Sequence, residues 1–139
     1  MTTHAALRPG NVAVITGGAD GIGLAAAKYY KSLGMNVCIA DIDSEQLDKS
    51  AGELGDALTV VTDVTQLADV QALRDQALER FGRVDVLMNN AGVARHCASW
   101  SEIDAWRAVL ETNLWGVING IHSFLPSKIE QGRPGQWGT

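Results

Sequence analysis

The sequence predicts an α/β fold: a doubly wound parallel sheet of about four strands with helices on both faces. Two observations carry this. Short apolar runs alternate with segments whose apolar residues recur at helical spacing, the pattern of parallel strands joined by right-handed helical crossovers. Glycines follow these helical segments, where a left-handed C-terminal cap is wanted. The chain has 139 residues, 46% hydrophobic and 19% charged. That is one domain's worth, with enough apolar side chains for a globular core.

The first strand is "NVAVIT" (Asn11–Thr16), β-branched and apolar, as suits a strand buried on both faces. A glycine-bearing loop leads into an Ala-rich helix, Gly21–Leu33, closed by Gly34. "NVCIA" (Asn36–Ala40) is the second strand. A helix over Ser44–Leu54 follows, with Asp43 or Ser44 as N-cap and Gly55 after its end. "ALTVV" (Ala57–Val61) is the third strand. The next helix, Gln66–Phe81, has Thr65 as a suitable N-cap, and Leu67, Val70, Leu73, Ala77 and Leu78 lie close to a 3.6-residue period. Gly82 follows, then the fourth strand, "VDVLMN" (Val84–Asn89). A longer helix is expected from about Ser101 to Lys128, on apolar positions that include Ile103, Trp106, Leu110, Leu114, Ile118, Ile121 and Leu125. Residues 1–10 read as an N-terminal tail, 11–130 as the folded unit, and 131–139 as a C-terminal tail carrying Gly and Pro and no β-branched run.

Charge and composition narrow the function. The net charge of −5 offers no basic field for nucleic acid or an anionic membrane. No apolar run approaches the length of a membrane span, and "MTTHAALRPG" lacks the cationic start and apolar stretch of a secretory signal. A cytoplasmic location is expected. Cys38 and Cys97 are far apart and read as reduced thiols. His4, His96 and His122 are scattered, so no metal site is expected.

The loop Thr16–Gly23 carries the chemistry. Gly17 permits a tight turn out of the strand, Gly21 lets the backbone approach a pyrophosphate, and Gly23 lets the helix pack near the sheet. The helix N-terminus then offers unpaired N–H groups to the anion. Asp41, 18 residues after Gly23, stands at the end of the second strand. A carboxylate there accepts hydrogen bonds from the adenosine ribose and repels a 2′-phosphate; its alternative role is to cap a helix. Asp20 adds negative charge inside the loop. NAD is therefore expected in preference to NADP.

On these motifs the chain resembles the N-terminal half of a short-chain dehydrogenase/reductase, a Rossmann-like fold. "TGGADGIG" has the family's spacing of Thr16, Gly17, Gly21 and Gly23, with Ile22 between the last two glycines. "ADID" (Ala40–Asp43), which contains Asp41 and Ile42, resembles the NAD-preferring form. "TDVT" (Thr62–Thr65) is similar to the family's Asp-Val step. The resemblance implies that Asp63 bonds the adenine amino group and Val64 lines its pocket. "NNAG" (Asn89–Gly92) resembles the motif that stabilises the central sheet, where Asn90, Ala91 and Gly92 border the adenine ribose. "ETNLWGV" (Glu111–Val117) puts Asn113 where the family has the Asn of its catalytic tetrad. Asn113's other reading is a bridge from helix to sheet through its backbone and a water.

The family's chemistry also needs a Ser, and a Tyr and Lys spaced Y-x-x-x-K. By resemblance these fall just beyond Thr139, and the 139 residues contain no Y-x-x-x-K. Tyr29 and Tyr30 read as ordinary helix residues. Ser127 and Lys128 end the long helix without a Tyr partner.

The expectation is an NAD-binding half cut short before its catalytic part, by a premature stop, a frameshift or design. The resemblance implies alcohol oxidation or carbonyl reduction as the parent reaction, with weak dinucleotide binding and no native turnover for the chain itself. Two other readings stay open. One is a free-standing nucleotide-binding module acting through a partner. The other is a weak hydrolase using Ser99, Ser101, His96 or His122. The family's fifth strand would begin near Gln136, where "QWGT" has no β-branched run. The fourth strand is therefore expected as an exposed edge. Together with the apolar outer face of the long helix, that edge predicts a homodimer.

Overall fold

A computed structural model describes residues 4–94, 102–132 and 136–138. The strands are β1 (Val12–Thr16), β2 (Asn36–Asp41), β3 (Leu58–Val61), β4 (Val86–Asn89) and β5 (Gln136–Gly138). They form one sheet in the order β3-β2-β1-β4-β5, every pairing parallel. The helices are α1 (Gly21–Ser32), α2 (Ser44–Leu54), α3 (Leu67–Phe81), α4 (Ile103–Leu110) and α5 (Gly116–Gln131).

β1 is buried along its whole length, and its side chains alternate between two cores. Ala13 and Ile15 face a cluster with Val37, Ile39, Leu47 and Leu54, beneath α1 and α2. Val14 faces the other, with Cys38, Val60, Leu73, Leu87 and Phe124, beneath α3 and α5. This is the doubly wound, Rossmann-like architecture expected from the sequence. Asp43 caps α2, its Oδ1 accepting from Gln46 N at 3.0 Å. Gly34, Gly55 and Gly82 all carry positive φ.

Four expectations need correction. Thr65 does not cap α3: its N–H and hydroxyl both donate to Asp63 Oδ1, at 3.0 and 2.7 Å, and the helix begins after Gln66 with no side-chain cap. The fourth strand starts at Val86 rather than Val84, because the Gln131 side-chain amide pairs with both backbone groups of Val84, at 3.0 and 3.1 Å. The long helix is not uniform. Between α4 and α5 it passes through a π-helical turn, Glu111–Trp115, and it ends at Gln131, not Lys128. Its expected start, Ser101, lies outside the described residues.

The largest correction is at the edge of the sheet. β5 pairs with β4 in the register Val86↔Gln136, Leu87↔Trp137 and Met88↔Gly138, so β4 is interior and not an edge. Gly132 (φ +60°) ends α5 in a left-handed turn. Three residues without a β-branched side chain then make the strand, because the β4 ladder supplies partners for their backbone.

Two glycines set the distance of α5 from the sheet. A Cβ at Gly116 would lie 2.7 Å from Val64 Cγ2, and one at Gly120 would lie 2.1 Å from Asn89 Oδ1. Phe124, fully buried, fills the space one turn further on. Burying such a side chain is worth about 1.5–3 kcal/mol.

Candidate functional site: a cleft at the C-terminal ends of the strands

The parallel strands end together, and the loops leaving β1, β2, β3 and β4 enclose a cleft of about 360 Å³. In an open α/β sheet this is the position at which ligands bind. The cleft is lined by Gly17, Asp20, Gly21, Asp41, Ile42, Asp63, Val64, Asn90, Ala91 and Gly92, all singled out from the sequence. Ile22, Gly23 and Asn113 were also singled out and do not line it. Thr62, Val93 and Thr112 line it and were missed. Thr62 and Thr112 lie inside the recognised motifs "TDVT" and "ETNLWGV" without having been given a role, and Val93 adjoins "NNAG".

The glycine loop is held by its neighbours. Thr16 Oγ1 accepts from Asn90 N at 3.1 Å and Ala91 N at 3.2 Å. Asn90 Nδ2 donates to Gly17 O at 3.0 Å. The β1 and β4 loops are thereby tied together. Gly23 is buried because α1 passes close behind the loop: a Cβ there would lie 2.2 Å from Gly17 O. Gly21 is the opposite case. Its φ is +52°, and a Cβ would meet nothing of the protein within 4 Å, so the backbone faces open cleft. Ile22 is 75% exposed, and the first-turn N–H groups of Ile22 and Gly23 have no intrahelical acceptor. This open, donor-rich turn fits a pyrophosphate.

The acids are fixed by backbone donors. Asp20 caps α1, its Oδ1 accepting from Gly21 N at 2.7 Å. Asp41 accepts from Ala19 N at 3.3 Å through Oδ2 and from Asp43 N at 3.2 Å through Oδ1. Asp63 accepts from Thr65, and its own N–H donates to Asp69 Oδ2 at 3.0 Å. Among the described lining residues there are three carboxylates and no Lys or Arg.

Asn113 lies in the π turn and acts through its side chain. Oδ1 accepts from Val93 N at 2.8 Å and Nδ2 donates to Val93 O at 2.9 Å. This reciprocal pair ties the helix to the loop after Gly92. Tyr29 and Tyr30 are on α1. Burial raises the Tyr30 pKa, with a smaller contribution from Tyr29, and neither lines the cleft. Cys38 is buried in the core, its thiol pushed up to about 12 by desolvation, and so is unreactive. His122 is exposed on α5 and is not a lining residue. His96, Cys97, Ser99 and Ser101 lie outside the described residues. Among the described residues no group of three His, Cys, Asp or Glu side chains could hold a metal ion, and no helix is long and apolar enough to cross a membrane.

A parallel sheet with a glycine turn at its carboxyl edge and an acid closing the second strand defines a dinucleotide-binding class of α/β protein. The model of the short chain dehydrogenase family matches residues 11–136, and the chain belongs to that family. It is 38% identical over 129 residues to 1-deoxy-11-beta-hydroxypentalenate dehydrogenase of Streptomyces exfoliatus, covering 88% of this chain and 47% of that protein. A short-chain dehydrogenase/reductase from Burkholderia phymatum, solved in complex with NAD, superposes with a TM-score of 0.92 at 38% identity, covering 96% of this chain and 49% of that one. A 3-ketoacyl-(acyl-carrier-protein) reductase from Brucella melitensis, complexed with NADH, gives a TM-score of 0.86 at 37% identity, covering 89% and 52%. The chain thus spans about half the length of the relatives it matches.

Proposed function

We propose that this chain is the dinucleotide-binding half of an NAD(H)-dependent oxidoreductase of alcohols and carbonyls. The observation that carries the reading is the cleft: an open glycine turn at one side, Asp41 at the other, and no cation among the described lining residues to welcome a 2′-phosphate. Structural neighbours solved with NAD and NADH support it. In this reading Gly17, Gly21, Ile22 and Gly23 form the pyrophosphate turn. Asp20 adds negative charge at its mouth. Asp41 receives the adenosine ribose hydroxyls and Ile42 covers the adenine. Asp63 bonds the adenine amino group, Val64 forms the pocket wall, and Asn90, Ala91 and Gly92 border the ribose.

When bound, NAD accepts or supplies a hydride at its nicotinamide ring. The residues of this chain bind and orient its adenine end. Asn113 fixes the Val93 backbone beside the cleft and acts as a positioning residue. Proton transfer needs a donor of tuned pKa, and the 139 residues hold no Y-x-x-x-K to provide one. On their own they bind the dinucleotide weakly and do not turn it over. We further propose that they pair as a homodimer in the cytoplasm, through the exposed apolar face of α4 and α5.

The test is a comparison of NAD with NADP by titration calorimetry, beside an NADH-absorbance assay over a broad panel of alcohols and ketones. NAD binding more tightly than NADP, with no turnover above a heat-treated control, is expected. Tighter binding of NADP would remove Asp41 from its role. Turnover abolished by Asn113→Ala would show that a complete site exists within these residues.

A further inference from the structure

Ser50 lies in α2, outside every motif read from the sequence, and is 1% exposed. Its hydroxyl is 2.6 Å from the Ala19 carbonyl and 2.8 Å from the Gln46 carbonyl of its own helix. It has one proton to give. The Gln46 carbonyl is already the acceptor of a helical N–H, whereas no other donor among the described residues meets the Ala19 carbonyl. Ala19 is fully buried in the glycine loop, and its N–H is the one that Asp41 Oδ2 accepts. Three elements meet at this single residue: α2 through Ser50, the loop through Ala19 itself, and the end of β2 through Asp41.

We infer that Ser50 is a positioning residue for the acid that recognises the adenosine ribose: by holding Ala19, it holds Asp41. The inference rests on the proposed role of Asp41. Ala19 is clamped on both sides, its carbonyl by Ser50 and its N–H by Asp41. The second oxygen of Asp41 is anchored separately, by Asp43 N. The carboxylate therefore keeps one orientation at the cleft wall, with lone pairs left over for the ribose hydroxyls it would accept from. Removing the Ser50 hydroxyl leaves a buried carbonyl without a donor, and the loop must move to find one. The Ala19 N–H moves with it, and Asp41 loses one of its two anchors.

ADP and 2′-deoxy-ADP test this by calorimetry on the 139-residue chain, since they differ only in a hydroxyl that Asp41 would accept from. The wild-type chain should prefer ADP. Ser50→Ala should weaken ADP by roughly three- to tenfold, the value of one hydrogen bond, while 2′-deoxy-ADP changes by less than about twofold. Ser50→Thr, which keeps the hydroxyl, should restore the preference. In an Asp41→Asn background, Ser50→Ala should remove nothing further. If circular dichroism shows Ser50→Ala unfolded, Ser50→Cys takes its place, filling the same space with a poor donor, and should lose the preference likewise. An unchanged preference in the Ala or Cys variant, or an equal loss for both nucleotides, would overturn the proposal while leaving Asp41 its role. A wild-type chain that does not distinguish the two nucleotides would overturn the reading of Asp41, and this proposal with it.

Discussion

At Asp41 both carboxylate oxygens are engaged by backbone N–H groups, those of Ala19 and Asp43. The acid is held in place before any ligand arrives, and its charge faces a cleft that contains two further carboxylates. Asp41→Asn keeps the shape and removes one charge from beside the 2′ position. The ratio of NADP to NAD affinity should rise on the order of tenfold, measured by calorimetry at low salt. An unchanged ratio would mean that the 2′ position lies elsewhere. Gly23 makes a second residue-scale prediction. A Cβ there would overlap the Gly17 carbonyl, a backbone atom that cannot step aside. Gly23→Ala should cost about 1–3 kcal/mol in urea unfolding and abolish nucleotide binding. These positions were legible in the sequence because glycine spacing and a strand-end acid are local patterns. The Ser50 contact with Ala19 and the Asn113 clamp on Val93 were not. Each joins residues far apart in the chain, and nothing in either neighbourhood of the sequence announces its partner.

Among the elements, β1 to β4 and the first three helices follow the expected order, since alternating apolar runs and helical periodicity are strong local signals. β5 was expected to be missing because "QWGT" has no β-branched run; the open ladder of β4 supplies the partners that its side chains do not promise. The π turn was hidden because apolar residues recur at steps of four straight across it, at Trp106, Leu110, Leu114 and Ile118, as they would in an uninterrupted helix. It coincides with Thr112 and Asn113, the residues of that helix that reach the cleft and its loop. Lys128 of α5 was read as the end of a helix and is instead 5% exposed. Its ammonium donates to the Asp85 carbonyl. The Asp85 carboxylate is itself held by Arg83 and by Val12 N. Burial lowers the Lys128 pKa, and Asp85 offsets this only in part. The unfolded chain therefore binds this proton more tightly than the folded chain, and the penalty is full below the depressed folded value. Stability from this group rises with pH until the unfolded value of 10.5 is passed. Lys128→Met removes the donor from the buried Asp85 carbonyl and should destabilise the protein at neutral pH by about 1–3 kcal/mol. The variant's deficit should grow as urea titrations are repeated toward pH 10.5, because the wild-type chain gains stability from this group over that range. A deficit that shrinks with pH would show the charged lysine to be stabilised by its surroundings.

At the scale of the whole molecule, an exposed apolar face among the described residues lies on the long helix. Ile103, Trp106, Leu110, Leu114, Ile118, Ile121, Leu125 and Ile129 recur at steps of three and four and are all at least 38% exposed. One apolar stripe therefore runs from α4 through the π turn along α5. Burying several such side chains offsets the entropy of association. With β4 covered by β5, this face alone carries the expectation of a homodimer. Light scattering at tens of micromolar should give twice the chain mass, and Leu110→Glu should return it to a monomer. A monodisperse wild-type monomer would contradict the pairing.

The central claim, that the 139 residues grip a dinucleotide by its adenine end, is tested most directly by titrating the chain with NAD, ADP-ribose and nicotinamide mononucleotide. The account predicts that NAD and ADP-ribose bind with closely similar affinity and that the mononucleotide gives no heat. Binding of the mononucleotide, or a failure of ADP-ribose to bind, would contradict it.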